Sequence, residues 1–157
     1  MAKAKRSRKF LLASALLTGS SLRPAVKDGM NAFLAKDRQL IGLDQRARIG
    51  DSLDLDERLR LTFPNSNRWD YIFSVSDAEK LLALEPHHAN DSEISVVIAK
   101  KRHAAAQLRT HLNPRYRVSE WLWVSHGRTA FSRTEQATRR LAQEGIRYVG
   151  RHLSDLG

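Results

Sequence analysis

Hydrophobic positions along the chain change period several times, and each change marks an expected element. After Pro24, which suits the first turn of a helix, Val26, Met30, Phe33 and Leu34 follow at i, i+4, i+7 and i+8, the spacing of a helical face. A second helical piece is expected from Leu40 to Ile49, ending at Gly50. Leu53, Leu55, Leu59, Leu61 and Phe63 then fall on odd positions. This fits a strand or strand pair, although Asp54 to Leu61 also fits one or two helical turns. Pro64-Asn65-Ser66-Asn67 is a turn, and strand patterns follow over residues 69–75 and 80–86. Asn90 with Glu93 forms a capping pair for the best-defined helix. Its stripe is Ile94, Val97, Ile98, Ala104, Ala105, Leu108 and Leu112, and Pro114 closes it. Trp121-Leu122-Trp123-Val124 reads as a buried strand over residues 120–125. Ser132 and Glu135 again resemble a capping box, opening a helix that ends at Gly145, and residues 146–153 form a last strand.

This order predicts an α/β (α+β) fold with a mixed sheet packed by helices, its first three strands an antiparallel meander. A chain of 157 residues with 41% hydrophobic content suits one compact domain. We place it over residues 23–157, with residues 1–22 as a basic tail and short helix. No cysteine is present, which excludes disulfides and thiolate metal sites. Lys3, Lys5, Arg6, Arg8 and Lys9 precede a short apolar run from Phe10, the outline of a secretory signal. The run is short and no small-x-small cleavage site follows it, so the segment reads as a tail. No later stretch approaches the ~20 apolar residues of a membrane span, and a cytoplasmic protein is expected.

Charge adds a partner. The net charge of +10 points to a polyanion, most simply nucleic acid. Residues 1–50 hold 11 Lys and Arg against 3 Asp and Glu, residues 51–100 hold 5 against 10, and residues 101–157 hold 11 against 4. An acidic centre between basic ends suits an enzyme that binds phosphate on its surface and a cation locally. A solvated acidic loop at 51–57, or an acidic segment docking a basic partner, explains the centre equally well.

The candidate chemistry lies in the first hairpin. A turn at Asp77-Ala78 pairs Ser76 with Glu79 and, counting back, Asp70 with Glu85. Directly opposed residues share a face with Cβ atoms about 4.5–5.5 Å apart, where two carboxylates repel unless a positive group joins them. One face then carries Asp70, Ile72, Ser74, Leu81, Ala83, Glu85 and His87; the other carries Trp69, Tyr71, Phe73, Val75, Leu82 and Leu84. A divalent cation between the acids, or salt bridges to Arg58, Arg60 or Arg68, relieves the repulsion.

A helix, a three-stranded meander with Asp on its second strand and Glu on its third, then a helix and a strand resembles the PD-(D/E)XK nuclease superfamily, the restriction-endonuclease-like fold. The resemblance covers roughly residues 25–125. It implies that Asp70 and Glu85 bind Mg²⁺ (or Mn²⁺) and that a Lys two residues after the Glu assists the attacking water. His87 stands in that place. Some members draw the Lys from the following helix, and here Lys101 falls in the middle of the apolar stripe with Lys100 on its flank. A lysine on such a stripe snorkels to solvent or meets a buried carboxylate. Lys101 lies ~16 Å along the helix from its expected cap, and Glu93, in the first turn, is better placed as an extra acid. Asp54 and Asp56 read as structural acids or a third ligand.

The sequence therefore predicts a metal-dependent nuclease acting on DNA or RNA, or a non-catalytic nucleic-acid-binding or assembly subunit of the same fold within a larger complex. Lys3, Lys5, Arg6, Arg8, Lys9, Arg128, Arg139 and Arg140 are the expected phosphate contacts. Ser125-His126-Gly127-Arg128 offers a phosphate-binding turn or a plain one.

Overall fold

The computed structural model describes residues 9–125 and 135–157. Six strands form one mixed sheet in the order β1-β2-β3-β4-β5-β6: Lys27–Asp28, Ile49–Asp54, Tyr71–Val75, Lys80–His87, Val118–Ser125 and Ile146–Tyr148. The first four pair antiparallel, and β5 and β6 add on parallel. The meander is thus longer by one short edge strand than the sequence pattern shows. Among the described residues five α-helices accompany the sheet: α1 (Leu12–Ala15), α2 (Ala35–Arg38), α3 (Leu55–Arg60), α4 (Ile94–Leu108) and α5 (Glu135–Gln143). The crossovers through α4 and α5 make β4, β5 and β6 parallel, as a strand–helix–strand unit requires.

Alternation along the strands separates two cores. Ile72, Leu81, Ala83, Trp121 and Trp123 face α1, α4 and α5, whose Leu12, Val97, Leu108 and Leu141 cover them. Tyr71, Phe73, Leu82, Leu84, Leu122 and Val124 face the opposite way, onto Phe33, Ile41, Leu153 and Leu156. That second cover is irregular chain, stitched where Leu153 N–H donates to the Leu40 carbonyl at 2.7 Å and Gly42 N–H to the Leu153 carbonyl at 2.9 Å. With both faces covered, β5 reads as a continuous apolar run.

Several expected elements differ. The helix read after Pro24 is a single 3₁₀ turn, Arg23–Ala25, followed by β1. Its apolar residues serve a chain that winds over the sheet, with Phe33 stacked on Tyr71 at 4.4 Å between ring centroids. The helical piece from Leu40 to Ile49 is likewise absent; α2 precedes it, and only a 3₁₀ turn, Arg46–Arg48, lies within it. The odd-position leucines divide between β2 and α3, because Asp54 caps the helix by accepting from Glu57 N–H at 2.9 Å. Trp69 precedes β3 and joins the α4-side core instead of the far face, meeting Trp121 edge-on. The last strand stops at Tyr148, since Gly150, at φ +83°, turns the chain away.

The boundary expected between residues 22 and 23 does not divide the molecule. Leu12, Ala15, Leu16 and Leu22 are buried in the α4-side core. The buried Asp51 carboxylate fixes this segment by accepting from Leu12 N–H at 2.7 Å, Ala13 N–H at 3.0 Å and Ser74 O–H at 2.5 Å. A side chain at Gly50 would meet Leu11 and Ser74 within 3 Å, so the close approach needs glycine there. The packed chain starts no later than Phe10, which stacks against Tyr116.

Candidate active site

The site forms where β3 enters the sheet and β4 leaves it. Tyr71 pairs with Leu84 and Ile72 with Ala83, the register read from the sequence, and one step further brings Asp70 opposite Glu85. Val75 pairs with Lys80 across a four-residue turn in which Glu79 takes φ +49°. Asp70 N–H donates to Glu85 Oε1 at 2.9 Å. Pro86 follows, past the last residue of β4 that pairs with β3 and opposite Val124 of β5. His87 completes the strand.

Helix α4 supplies the rest. Glu93, just before its first residue, and Lys100 are seven residues apart and so share one side of the helix. Lys100 Nζ lies 2.6 Å from Glu85 Oε2. His87 bridges two acids, with Nε2 2.7 Å from Glu93 Oε2 and Nδ1 3.5 Å from Glu85 Oε2. Glu85, 0% exposed, is thus held under the surface by a backbone amide, an ammonium and an imidazole.

These contacts set the proton affinities. Burial, then the neighbouring charge of Glu85, pushes the Asp70 carboxyl up to about 8, with Lys100 opposing. Burial pulls the Lys100 ammonium down, but the charge and hydrogen bond of Glu85, and then Asp70, outweigh it and leave it above its ordinary value. The bond to Glu85 raises His87, burial lowers it, and Glu93 raises it again; the net direction is up. The Glu85 charge acts on Asp70 while the one lysine is bonded to Glu85, and Asp70 bears the cost.

Asp70 and His87 line an open cleft of about 380 Å³ together with Lys36, Asp37 and Asp56. Asp56 is neutralised by Arg68 at 2.9 Å and Arg60 at 3.1 Å. Asp37, on α2, is nearly fully buried; its Oδ2 accepts from Tyr71 O–H at 2.5 Å and its Oδ1 has no hydrogen-bond partner. Burial and that bond push the Tyr71 phenol above its ordinary value. Asp37 was legible only as an acid at helical spacing between Leu34 and Ile41, and the sequence reading passed over it.

Among the described residues no three acids or histidines are grouped closely enough to hold a metal by themselves. The donor set still fits Mg²⁺ or Mn²⁺, which keep several waters and take one or two carboxylates with substrate phosphate, better than zinc. Asp70 suits such a cation: it lines the cleft, and its carboxyl has no hydrogen-bond partner among the described residues.

The other expected site residues are scattered. Lys101 does not reach Glu85; its ammonium sits 5.8 Å from the centre of the Trp121 ring. Lys9 and Arg139 are exposed, and Arg140 donates to Ser95 Oγ at 2.8 Å. Lys3, Lys5, Arg6, Arg8 and Arg128 lie outside the described residues. The acids at 51–57 form no free docking patch, because Asp51 is buried, Asp54 caps α3 and Asp56 is paired. No helix among the described residues is long and apolar enough to cross a membrane. No family model, curated protein or solved structure matches the chain.

Proposed function

We propose that this chain is a metal-dependent nuclease that hydrolyses phosphodiester bonds in DNA or RNA. One observation carries the reading: Asp70 and Glu85 stand side by side at the open end of β3 and β4, with Lys100 on Glu85, beside an open cleft. In a chain of net charge +10, such a cluster has a phosphate substrate as its simplest purpose.

Asp70 and Glu85 would hold Mg²⁺ or Mn²⁺, which supplies charge neutralisation at phosphorus and a more acidic bound water. Lys100 pairs with the buried Glu85 and stands ready to share its charge with a developing phosphorane oxygen. His87, oriented by Glu93, occupies the place of the motif lysine; above its ordinary proton affinity, it acts as a proton donor more readily than as a base. The family's lysine duty therefore falls to Lys100, and His87 bridges Glu85 to Glu93.

A second reading, a nucleic-acid-binding subunit with a decayed site, is favoured by the engagement of both Glu85 oxygens within the protein. Labelled single- and double-stranded DNA and RNA, incubated with Mg²⁺, Mn²⁺ or EDTA, separate the two. The nuclease cleaves with metal and loses cleavage in Glu85→Gln and Asp70→Asn. Retention on nucleic acid, with no cleavage under any metal, sinks the enzyme and leaves the binding subunit.

A further inference from the structure

The described arginines fall into two populations. Many are tied to the protein: Arg48 to Asp77, Arg58 to the Ser21 carbonyl, Arg60 and Arg68 to Asp56, Arg102 to Glu144 and Arg147 to Glu120. Arg109, Arg115 and Arg117, like Arg151 elsewhere, are exposed, and their guanidinium groups make no hydrogen bond or ion pair among the described residues; the first three are neighbours. All three lie where α4 ends and β5 begins. Arg109 and Arg117 stand on the rim of an open groove of about 370 Å³ whose floor includes Leu108, Leu112, Val118 and Trp121, and no acid lines it. The groove is far from the cleft: β5 runs from Val118 here to Ser125 opposite His87, about 23 Å at ~3.3 Å per residue.

We propose that this groove docks an acidic, amphipathic segment of a partner protein, its apolar side chains on the leucine floor and its carboxylates against Arg109 and Arg117, with Arg115 nearby in the same α4–β5 connection. Guanidinium groups meet carboxylates through paired hydrogen bonds, and two unpaired ones beside an apolar floor are the complement of such a segment. The chain's own ends do not supply it. Lys3, Lys5, Arg6, Arg8 and Lys9 make the N-terminal stretch basic, so the rim repels it. In the acidic stretch at 51–57, Asp51, Asp54 and Asp56 are engaged internally and only Glu57 is exposed and unpaired among the described residues, so a second copy offers no matching strip.

Nucleic acid fits less well. Bases need open aromatic faces, and here Lys101 covers Trp121, Trp69 meets its edge, and Phe10 packs on Tyr116. A phosphate backbone would use the arginines and leave the floor wet.

The test selects a displayed library of random twelve-residue peptides on the full chain and, in parallel, on folded Arg109→Glu/Arg117→Glu, with folding checked by circular dichroism. Peptides enriched on the wild type should carry net negative charge and apolar residues at helical spacing. In fluorescence anisotropy the best of them should weaken by at least about tenfold on the double variant. Replacing its apolar residues with serine should weaken it comparably. The same peptides emerging from both proteins, or no acidic and apolar bias, overturns the proposal. So does an oligonucleotide that loses about tenfold on the double variant while no peptide does, which assigns the groove to nucleic acid. The readout is independent of cleavage.

Discussion

Replacing Asp70 with asparagine should stabilise the protein, by an amount that grows with pH. The Asp70 carboxyl is pushed from 3.8 to about 8 by burial and by Glu85. Between those values the folded chain holds a proton that the unfolded chain releases, so folding takes up a proton and stability falls as pH rises through the window. Each tenfold change in proton affinity is about 1.4 kcal/mol, which puts the burden of Asp70 at roughly 4 kcal/mol at neutral pH. Asparagine keeps the shape and removes the charge. Discounted for the partial exposure of Asp70, the advantage of Asp70→Asn over the wild type should widen by about 3 kcal/mol between pH 5 and pH 8, then level off. In a domain of this size that is about 6–12 °C in melting temperature. Urea denaturation of both proteins across pH, in EDTA, measures it. Magnesium should work in the opposite sense, raising wild-type stability by about 2.7 kcal/mol at a hundredfold excess over its dissociation constant and leaving Asp70→Asn unmoved. An advantage that does not change with pH refutes the burial argument; a wild type indifferent to magnesium and manganese refutes the cation.

Four further substitutions test separate features. Lys100→Met leaves Glu85 buried with its charge uncompensated and should cost about 3–5 kcal/mol in urea denaturation, most of it recovered in Glu85→Gln/Lys100→Met; Lys101→Met removes only its contact with Trp121, about 0.5–1 kcal/mol, and should leave cleavage intact. Equal effects of the two would dismiss the assignment of Lys100 to the site. Asp51→Ala strips the Leu12 and Ala13 amides and the Ser74 hydroxyl of their acceptor, and should cost about 2–4 kcal/mol and expose residues 10–22 to limited proteolysis before the rest; simultaneous loss of the whole chain would show the segment has no separate attachment. Glu79→Gly relieves a left-handed backbone in the β3–β4 turn and should raise the melting midpoint by about 0.5–1 kcal/mol worth of stability, against no change if the turn tolerates glutamate freely.

Local pairing was the legible part of this fold. The Asp70–Glu85 register follows from counting back across one short turn, and the β3–β4 pairing in the structure has that count because both strands bury a face and a one-residue slip would invert it. Helix α4 and the run of β5 were equally plain, since each carries its own period. The stretch from Arg23 to Arg48 was not. Its apolar residues have helical spacing, yet they are anchors for irregular chain draped over the far face of the sheet, where Phe33 and Ile41 pack and Leu153 pairs back onto Leu40. Spacing records which residues need cover, and this cover comes from a chain end more than a hundred residues away in sequence. Edge strand β1, two residues long, leaves no periodic trace.

The lysines of α4 show the same limit within the site. Lys101 lies at the middle of the apolar stripe and Lys100 on its flank, so a helical wheel favours Lys101 as the inward cation. The wheel states angle relative to the helix and says nothing of which strand lies beneath each angle. In the structure Lys101 stands over Trp121 of β5, and Lys100 reaches Glu85 of β4. The helix straddles two neighbouring strands, and its two lysines divide between them. The flank position matters chemically, because it lets an ammonium that is only partly covered meet a carboxylate that is wholly covered. A lysine at the stripe's centre would have to desolvate fully to do the same, at a cost its ion pair does not return. A cation drawn from another element therefore arrives from the edge of its helix, and the strand position it replaces is free to hold His87, tied to Glu93 and so to the first turn of the same helix.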